Sequence, residues 1–383
     1  MSSRIILLLL CCGWATACVP AGFHVGDDGP GSFGLIEWSI DDEIRGLAAA
    51  DFLGRGGTEL LVATPDRVLW LSAAGSRVVA VAESGEFVSL DAVDPDRDGR
   101  SDLLLVVMGD RGPVSHVWSL GAGGAFLRAS PIPLHLYAWP RHGLVALGAQ
   151  MGIGAKGVRP LLEYHYDPSR AGQEMEVGDS LVDLHPSMAD GVPIPFGSPK
   201  LGVPMVDRSG KIERIRGREV LWSSPDSVDL GISSLLIERA VPGMLSDSEV
   251  ESFRLRPPPA YFELDNDLRQ ELLVCRNEGK EIPILANMRT QKGASLMVLR
   301  QVEQGGLEEA VRQTGQAGKS CAGVAVVSDD WGPLLLLAVR DRARGAFRKA
   351  SSRILSYRVE GDRIAEAEEG ALSVALEFVA APR

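Results

Sequence analysis

Four acids, Asp94, Asp96, Asp98 and Asp102, stand at relative positions 1, 3, 5 and 9 of a nine-residue stretch that has Gly99 at position 6. Carboxylates at that spacing suit the wrapping of an oxygen-seeking cation such as Ca²⁺. Gly99 permits the sharp turn that folds such a loop back on itself. The apolar run Leu103 to Val107 follows at once, where an EF-hand would need a long amphipathic helix. The residues therefore describe a calcium-type loop wired into a β-sheet. An acid-rich turn that needs no metal is the alternative, although four acids held close without a cation would repel one another.

The elements around the loop repeat. Asp51 to Val62 begins 43 residues earlier and keeps the first acid, Gly56, the last acid Glu59 and the apolar run, but Leu53 and Arg55 occupy positions 3 and 5. That copy keeps the turn and has lost the cation ligands. A third copy, Glu263, Asp265, Asp267 and Glu271, has all four acids, with Leu268 in place of the glycine. Apolar runs at Gly143–Gly148, Leu201–Val206 and Leu334–Ala338 occupy the equivalent place without the acids, which makes six copies. Short β-branched and aromatic runs punctuated by Gly, Asp and Pro predict an all-β chain of antiparallel strands.

On these residues the chain resembles the FG-GAP/VCBS repeats of integrin-α-like β-propellers. The resemblance implies a single propeller of six or seven four-stranded blades, with seven favoured once the strands near Phe33–Ile40 and Leu372–Ala380 are paired to close the ring. It also implies a structural Ca²⁺ held by Asp94, Asp96, Asp98, Asp102 and the main-chain carbonyl of Arg100. Glu263, Asp265, Asp267 and Glu271 would be a weaker second site, since Leu268 strains the turn.

Bulk properties agree with one large β body. The 383 residues include 43 Gly and 23 Pro, which fit many tight turns, and 45% apolar residues suffice to fill layers between sheets. A formal net charge of −12 without a basic cluster disfavours nucleic acid as a partner. Two longer repeats carry short helix-like patterns at Ser246–Phe253, which starts with a capping box, and at Gly306–Thr314. As insertions they are candidates for a partner-binding surface or neutral decoration.

The first eighteen residues read as a processing signal: Arg4, an apolar Ile5–Cys12 core too short to span a bilayer, and Ala15-Thr16-Ala17-Cys18. Small residues before a cysteine resemble a bacterial lipobox, which implies lipidation of Cys18; Ala15 in place of the usual Leu leaves plain cleavage near Ala17 as the rival. Val19, by analogy with lipoprotein sorting, points to the outer membrane or cell surface, with a periplasmic or secreted protein as the alternative. Residues 19–34 then form a flexible tether and residues 35–383 the propeller. In the mature body Cys275 and Cys321 remain; a disulfide between neighbouring repeats and two separate buried thiols both fit.

Motifs that imitate catalytic ones fail on context. Gly152-Ile-Gly154-Ala-Lys-Gly157 is followed by Pro160 and a strand-like run where a dinucleotide site needs a helix. Gly315-Gln-Ala-Gly318-Lys319-Ser320 has too few residues between its glycines for a phosphate cradle. Tyr164, His165 and Tyr166 alternate along a strand and so face opposite ways. The expectation from sequence is a non-enzymatic, exported, lipid-anchored propeller that binds an envelope protein or glycan. The alternative is an envelope polysaccharide lyase or hydrolase on a calcium-bearing propeller, which would show carboxylates with shifted pKa values converging in a cleft.

Overall fold

The computed structural model describes residues 38–376, apart from 41, 74, 111, 122–123, 128–130, 140–142, 148–158, 167–174, 185–191, 208, 217–218, 226–227, 242–248, 265–269, 282–288, 303–305, 314, 330, 342–350, 362, 369–370 and 373–374. The signal segment 1–18 with Cys18, the tether 19–34, Asp265, Asp267, Leu268 and the Gly152–Gly157 motif lie outside the described residues.

The chain is an all-β propeller. After a short strand β1 (Trp38–Ile40), four consecutive strands form the first sheet: β2 (Gly46–Ala50), β3 (Glu59–Ala63), β4 (Arg67–Ser72) and β5 (Gly75–Val81). The second holds β6 (Glu86–Val93), β7 (Asp102–Gly109), β8 (Gly112–Gly121) and β9 (Gly124–Leu127). The third holds β10 (Leu136–Trp139), β11 (Gly143–Leu147), β12 (Arg159–Tyr166) and β13 (Met175–Leu184). The fourth comprises β14 (Val192–Pro193), β15 (Val203–Val206), β16 (Ile212–Arg216) and β17 (Glu219–Ser223). A two-stranded hairpin follows, β18 (Leu235–Val241) and β19 (Glu249–Leu255).

The last two sheets have five strands each. One is built from β20 (Ala260–Phe262), β21 (Glu271–Glu281), β22 (Arg289–Gln301), β23 (Leu307–Arg312) and β24 (Gln316–Ala317). The other combines β25 (Lys319–Asp329), β26 (Gly332–Asp341), β27 (Ser352–Glu360) and β28 (Arg363–Glu366) with β1 from the far end of the chain.

The expectation of six or seven uniform four-stranded blades is thereby corrected. Among the described residues the sheets have four, five or two strands, and the hairpin β18–β19 is not a blade of the expected kind. The ring is closed by β1 on β27, with Trp38 opposite Ile354. The residues at 371, 372, 375 and 376, expected in a closing strand, are helical, and Leu372, Ala375 and Leu376 pack into the core between the first and last sheets. Both helix-like patterns also lie in strands, since β19 starts at Glu249 and β23 covers Leu307–Arg312. Pairing with a neighbouring strand fixes these segments, whereas a helix so short is not stable by itself.

The repeated apolar runs are all second strands: β3, β7, β11, β15, β21 and β26 each lie next to the first strand of a sheet. They are apolar on both faces because each sheet packs against a neighbour on either side. Leu103 and Leu105 of β7 face the first sheet's Leu61 and Val68, whereas Leu104 faces Leu136 and Leu144 of the third. A strand covered on both sides reads as a continuous hydrophobic run instead of an alternating one.

The hairpin packs on the second sheet. Leu235, Ile237 and Leu255 pack on Val88, Val106 and Met108 of the second sheet, at the start of β6 and the end of β7. At its root, Arg340 donates to the Ser234 carbonyl at 2.6 Å and pairs with Glu43 at 2.5 Å.

Candidate functional site

The first strands β2, β6, β10, β20 and β25 surround a cavity of about 750 Å³ at their C-terminal ends. Its lining includes Asp91 and Asp94, Arg97, Trp139, Tyr261 and Gln270, with small apolar residues of β2 and β25 between them. Asp91 and Asp94 are the carboxylates of that wall among the described residues. Trp139 is fixed by an Nε1 hydrogen bond to the Gly197 carbonyl at 2.6 Å.

Asp91 sits between two spaces. On its other side is a small chamber of about 30 Å³, roomy enough for water, which Asp91 shares with Ser89, His135, Tyr137 and Arg256. Asp91 is partly buried, and burial pushes its pKa up to about 7 against a hydrogen bond from the Ala92 N–H that works the other way. Tyr261 donates its hydroxyl to the Pro195 carbonyl, and burial, reinforced by the nearby Asp91 charge, raises its pKa. His135 stacks flat on Tyr137 with 4.4 Å between ring centres, and burial lowers its pKa to about 4. The set holds an acid that titrates near neutrality beside an imidazole that is neutral there.

The acidic loop rises at the rim of the same cavity, directly after β6. Asp94, Asp96 and Asp98 each bring one carboxylate oxygen within 4.8 Å of the others. Ca²⁺ binds oxygens at about 2.3–2.6 Å, so ligands on opposite sides of the ion stand up to about 5 Å apart, and the cluster has the size to coordinate such a cation. Asp94 also shapes the turn, accepting from the N–H groups of Asp98 at 3.1 Å and Gly99 at 3.0 Å. Asp102 is not part of the cluster. It is fully buried at the start of β7, where its Oδ1 accepts from the Ser119 hydroxyl at 2.6 Å. The Arg100 side chain reaches away to the carbonyls of Phe52 and Leu120.

The other copies explain what the motif does structurally. Asp51 accepts from the N–H groups of Arg55 and Gly56 at 2.9 and 2.7 Å, the same capping pattern as Asp94. At position 9, buried Glu59 accepts from the Phe52 N–H, and Glu271 accepts from the Leu264 N–H, both at 2.8 Å. Position 2 of the loop beginning at Asp94 is Pro95, which has no N–H, so Asp102 cannot receive that bond. Position 1 is thus a turn cap and position 9 a buried anchor. Of the third copy, Glu263 and Glu271 are described, and Asp265 and Asp267 lie outside the described residues.

Cys275 on β21 and Cys321 on β25 are joined by a disulfide with 6.3 Å between their Cα atoms, bridging the last two sheets. Sequence reasoning missed Asp91. The available signal was an acid within the otherwise apolar first strand of a repeat, two residues before the last strand position.

No family model matches the chain, and no curated protein matches it. Solved structures do resemble it at low identity. A thermostable family-43 glycoside hydrolase is 8% identical with a TM-score of 0.38, covering 84% of this chain and 92% of its own. The Myceliophteria thermophila Cps50 (Swd1) β-propeller domain is 12% identical with a TM-score of 0.39, covering 82% and 96%. The GH43_1 enzyme from Xanthomonas citri, complexed with xylose, is 11% identical with a TM-score of 0.36, covering 85% and 90%.

The FG-GAP/VCBS resemblance is corrected: the acid at position 9 of the repeated loop is a buried anchor inside the sheet and not a cation ligand. The expectation of a non-enzymatic binding module is corrected with it. The axial cavity holds a carboxyl with a raised pKa beside a second carboxylate, a convergence that residue order could not display.

Proposed function

We propose that this chain is a carbohydrate-active hydrolase of the cell envelope, acting in the axial cavity with Asp91 as its proton donor. The observation that carries the reading is the Asp91 carboxyl, which lines a cavity large enough for sugar units and keeps its proton up to about pH 7. A general acid works best when its pKa lies near the working pH. In glycoside hydrolysis a protonated carboxyl gives its proton to the leaving oxygen as the glycosidic C–O bond breaks, and a second carboxylate serves on the other side of the ring. Asp94 is the second carboxylate available in the described wall. Trp331, 83% exposed at the β25–β26 turn on the same face, offers an apolar ring to a longer glycan.

Export to an oxidising compartment, with a lipid anchor at Cys18, belongs to the same proposal and is supported by the Cys275–Cys321 disulfide. The test is release of reducing ends from a panel of envelope and plant polysaccharides by the mature protein and by Asp91→Asn. Turnover that vanishes in the variant, whose fold is retained by circular dichroism, supports the reading. Unsaturated product ends would make the enzyme a lyase, and equal turnover by both proteins would remove Asp91 from the chemistry.

A second reading concerns the loop: Asp94, Asp96 and Asp98 hold a structural Ca²⁺ that fixes the cavity rim. The size of the cluster supports it. Titration of Ca²⁺ into chelated protein should raise the melting temperature, and Asp96→Ala/Asp98→Ala should abolish that rise; identical melting with and without Ca²⁺ would make the loop a simple turn.

A further inference from the structure

Two loops of this chain adopt the same turn, and they differ at one position in a way that costs energy. In the loop beginning at Asp51, positions 4 and 6 are Gly54 and Gly56, with φ of 66° and 74°. In the loop beginning at Asp94 the same positions are Arg97 and Gly99, with φ of 59° and 85°. The turn thus requires left-handed backbone at position 4. Glycine meets that requirement freely, whereas a side chain at positive φ is strained. Arg97 is the one non-glycine residue at positive φ among the described residues.

A strained residue that a neighbouring repeat replaces with glycine asks what its side chain supplies. Arg97 is exposed and lines the axial cavity. Although it lies between Asp96 and Asp98 in the chain, no ion pair or hydrogen bond engages it among the described residues. Its guanidinium is a planar, permanently charged fork that matches a carboxylate through paired hydrogen bonds.

We infer that Arg97 is a specificity residue that binds the carboxylate of an acidic sugar in the axial cavity, so that the substrate class is a uronate-containing glycan. The inference rests on the proposed glycan site but not on Asp91 chemistry. Asp91, whose burial raises its pKa to about 7, repels an anionic ligand less than an ordinary carboxylate would, and Arg97 offsets the charge of Asp94.

The test is calorimetric titration of oligogalacturonate trimer and of neutral cellotriose into the mature protein and into Arg97→Gly and Arg97→Lys, with melting temperatures alongside. Because glycine suits the backbone, Arg97→Gly should melt at or above the wild-type temperature, so that a change in binding is not a loss of fold. Loss of a charge-assisted pair predicts weakening of the acidic trimer by about tenfold or more, with partial retention in Arg97→Lys. Equal binding by Arg97→Gly, equal binding of the neutral trimer, or no binding of the acidic trimer by wild type would each overturn the inference. If Arg97-dependent binding is found and no polymer is cleaved, the hydrolase reading falls and the acidic-glycan site stands.

Discussion

Arg100 donates from Nε to the carbonyl oxygen of Phe52 at 2.6 Å, joining the turn of the second sheet to that of the first. The Ser101 N–H adds a bond to the Asp51 carbonyl at 2.9 Å, and the arginine stem lies 3.5 Å from where a Cβ on Gly54 would sit. One side chain therefore ties two repeats together on the cavity face. Arg100→Ala strands two carbonyls that a charged donor had satisfied. A loss of about 2–3 kcal/mol is expected from the value of hydrogen bonds to charged groups, read as a lower urea midpoint. A midpoint within error of wild type would mean that water replaces the guanidinium at no cost.

The Cys275–Cys321 bridge closes a loop with a sequence separation of 46 and links the last two sheets near the axis. Loop-closure entropy assigns a bridge of that span about 4 kcal/mol. Cys275→Ser/Cys321→Ser should lower stability by up to that amount, and reduction of the wild-type protein should reproduce the loss while leaving the variant unaffected. A variant as stable as the oxidised protein would show that the strand pairing alone fixes the two sheets.

Gly231 packs against Asn277 so closely that an added Cβ would lie 1.9 Å from the Asn277 carbonyl oxygen, and its φ is 64°. Asn277 holds this crossing together: its carbonyl accepts from the Ile232 N–H, and its side chain bonds Ser234 and the Cys321 N–H. Gly231→Ala cannot keep these contacts without a backbone shift. It should fail to accumulate as soluble protein at 37 °C, or lose several kcal/mol, as strain at a special backbone position does. Wild-type yield and melting temperature would show that the crossing can open.

The strand grammar was legible because it depends on local chemistry. An acid that caps a turn, followed by a run apolar on both faces, marks β3, β7 and β21 from the sequence alone, and the same run without the acid marks β11, β15 and β26. What escaped was set by distant contacts. Glu249–Leu255 has a capping-box start, yet its partner across the hairpin makes it a strand, and tertiary pairing overrides so short a helical signal. Asp102 matched a ligand position by spacing, but Ser119 on β8 claims it inside the sheet. Asp91 carries no motif at all. Its character comes from residues of β10 and β20 that meet it only when the ring is closed.

That meeting makes a pH prediction with opposed signs. Asp91 titrates at about 7 in the folded chain against an ordinary value of 3.8, so between those values the folded state holds a proton that the unfolded state has released. Its contribution is present below 3.8 and is lost as pH rises to about 7. His135 titrates at about 4 against 6.5, so the unfolded state holds the extra proton, and stability falls as pH drops from 6.5 to 4. The groups facing them are Tyr137, Tyr261, Arg256, Arg97 and Asp94. Over most of this window the two slopes cancel in the wild-type protein, and each variant should unmask the other. Asp91→Asn should become more stable from pH 4.5 to 6.5 relative to wild type, whereas His135→Phe, which preserves the stack on Tyr137, should become less stable over the same interval. Urea midpoints of the three proteins at both pH values decide it. Parallel changes in all three would mean that the cavity is wet enough for both groups to titrate as they do in water.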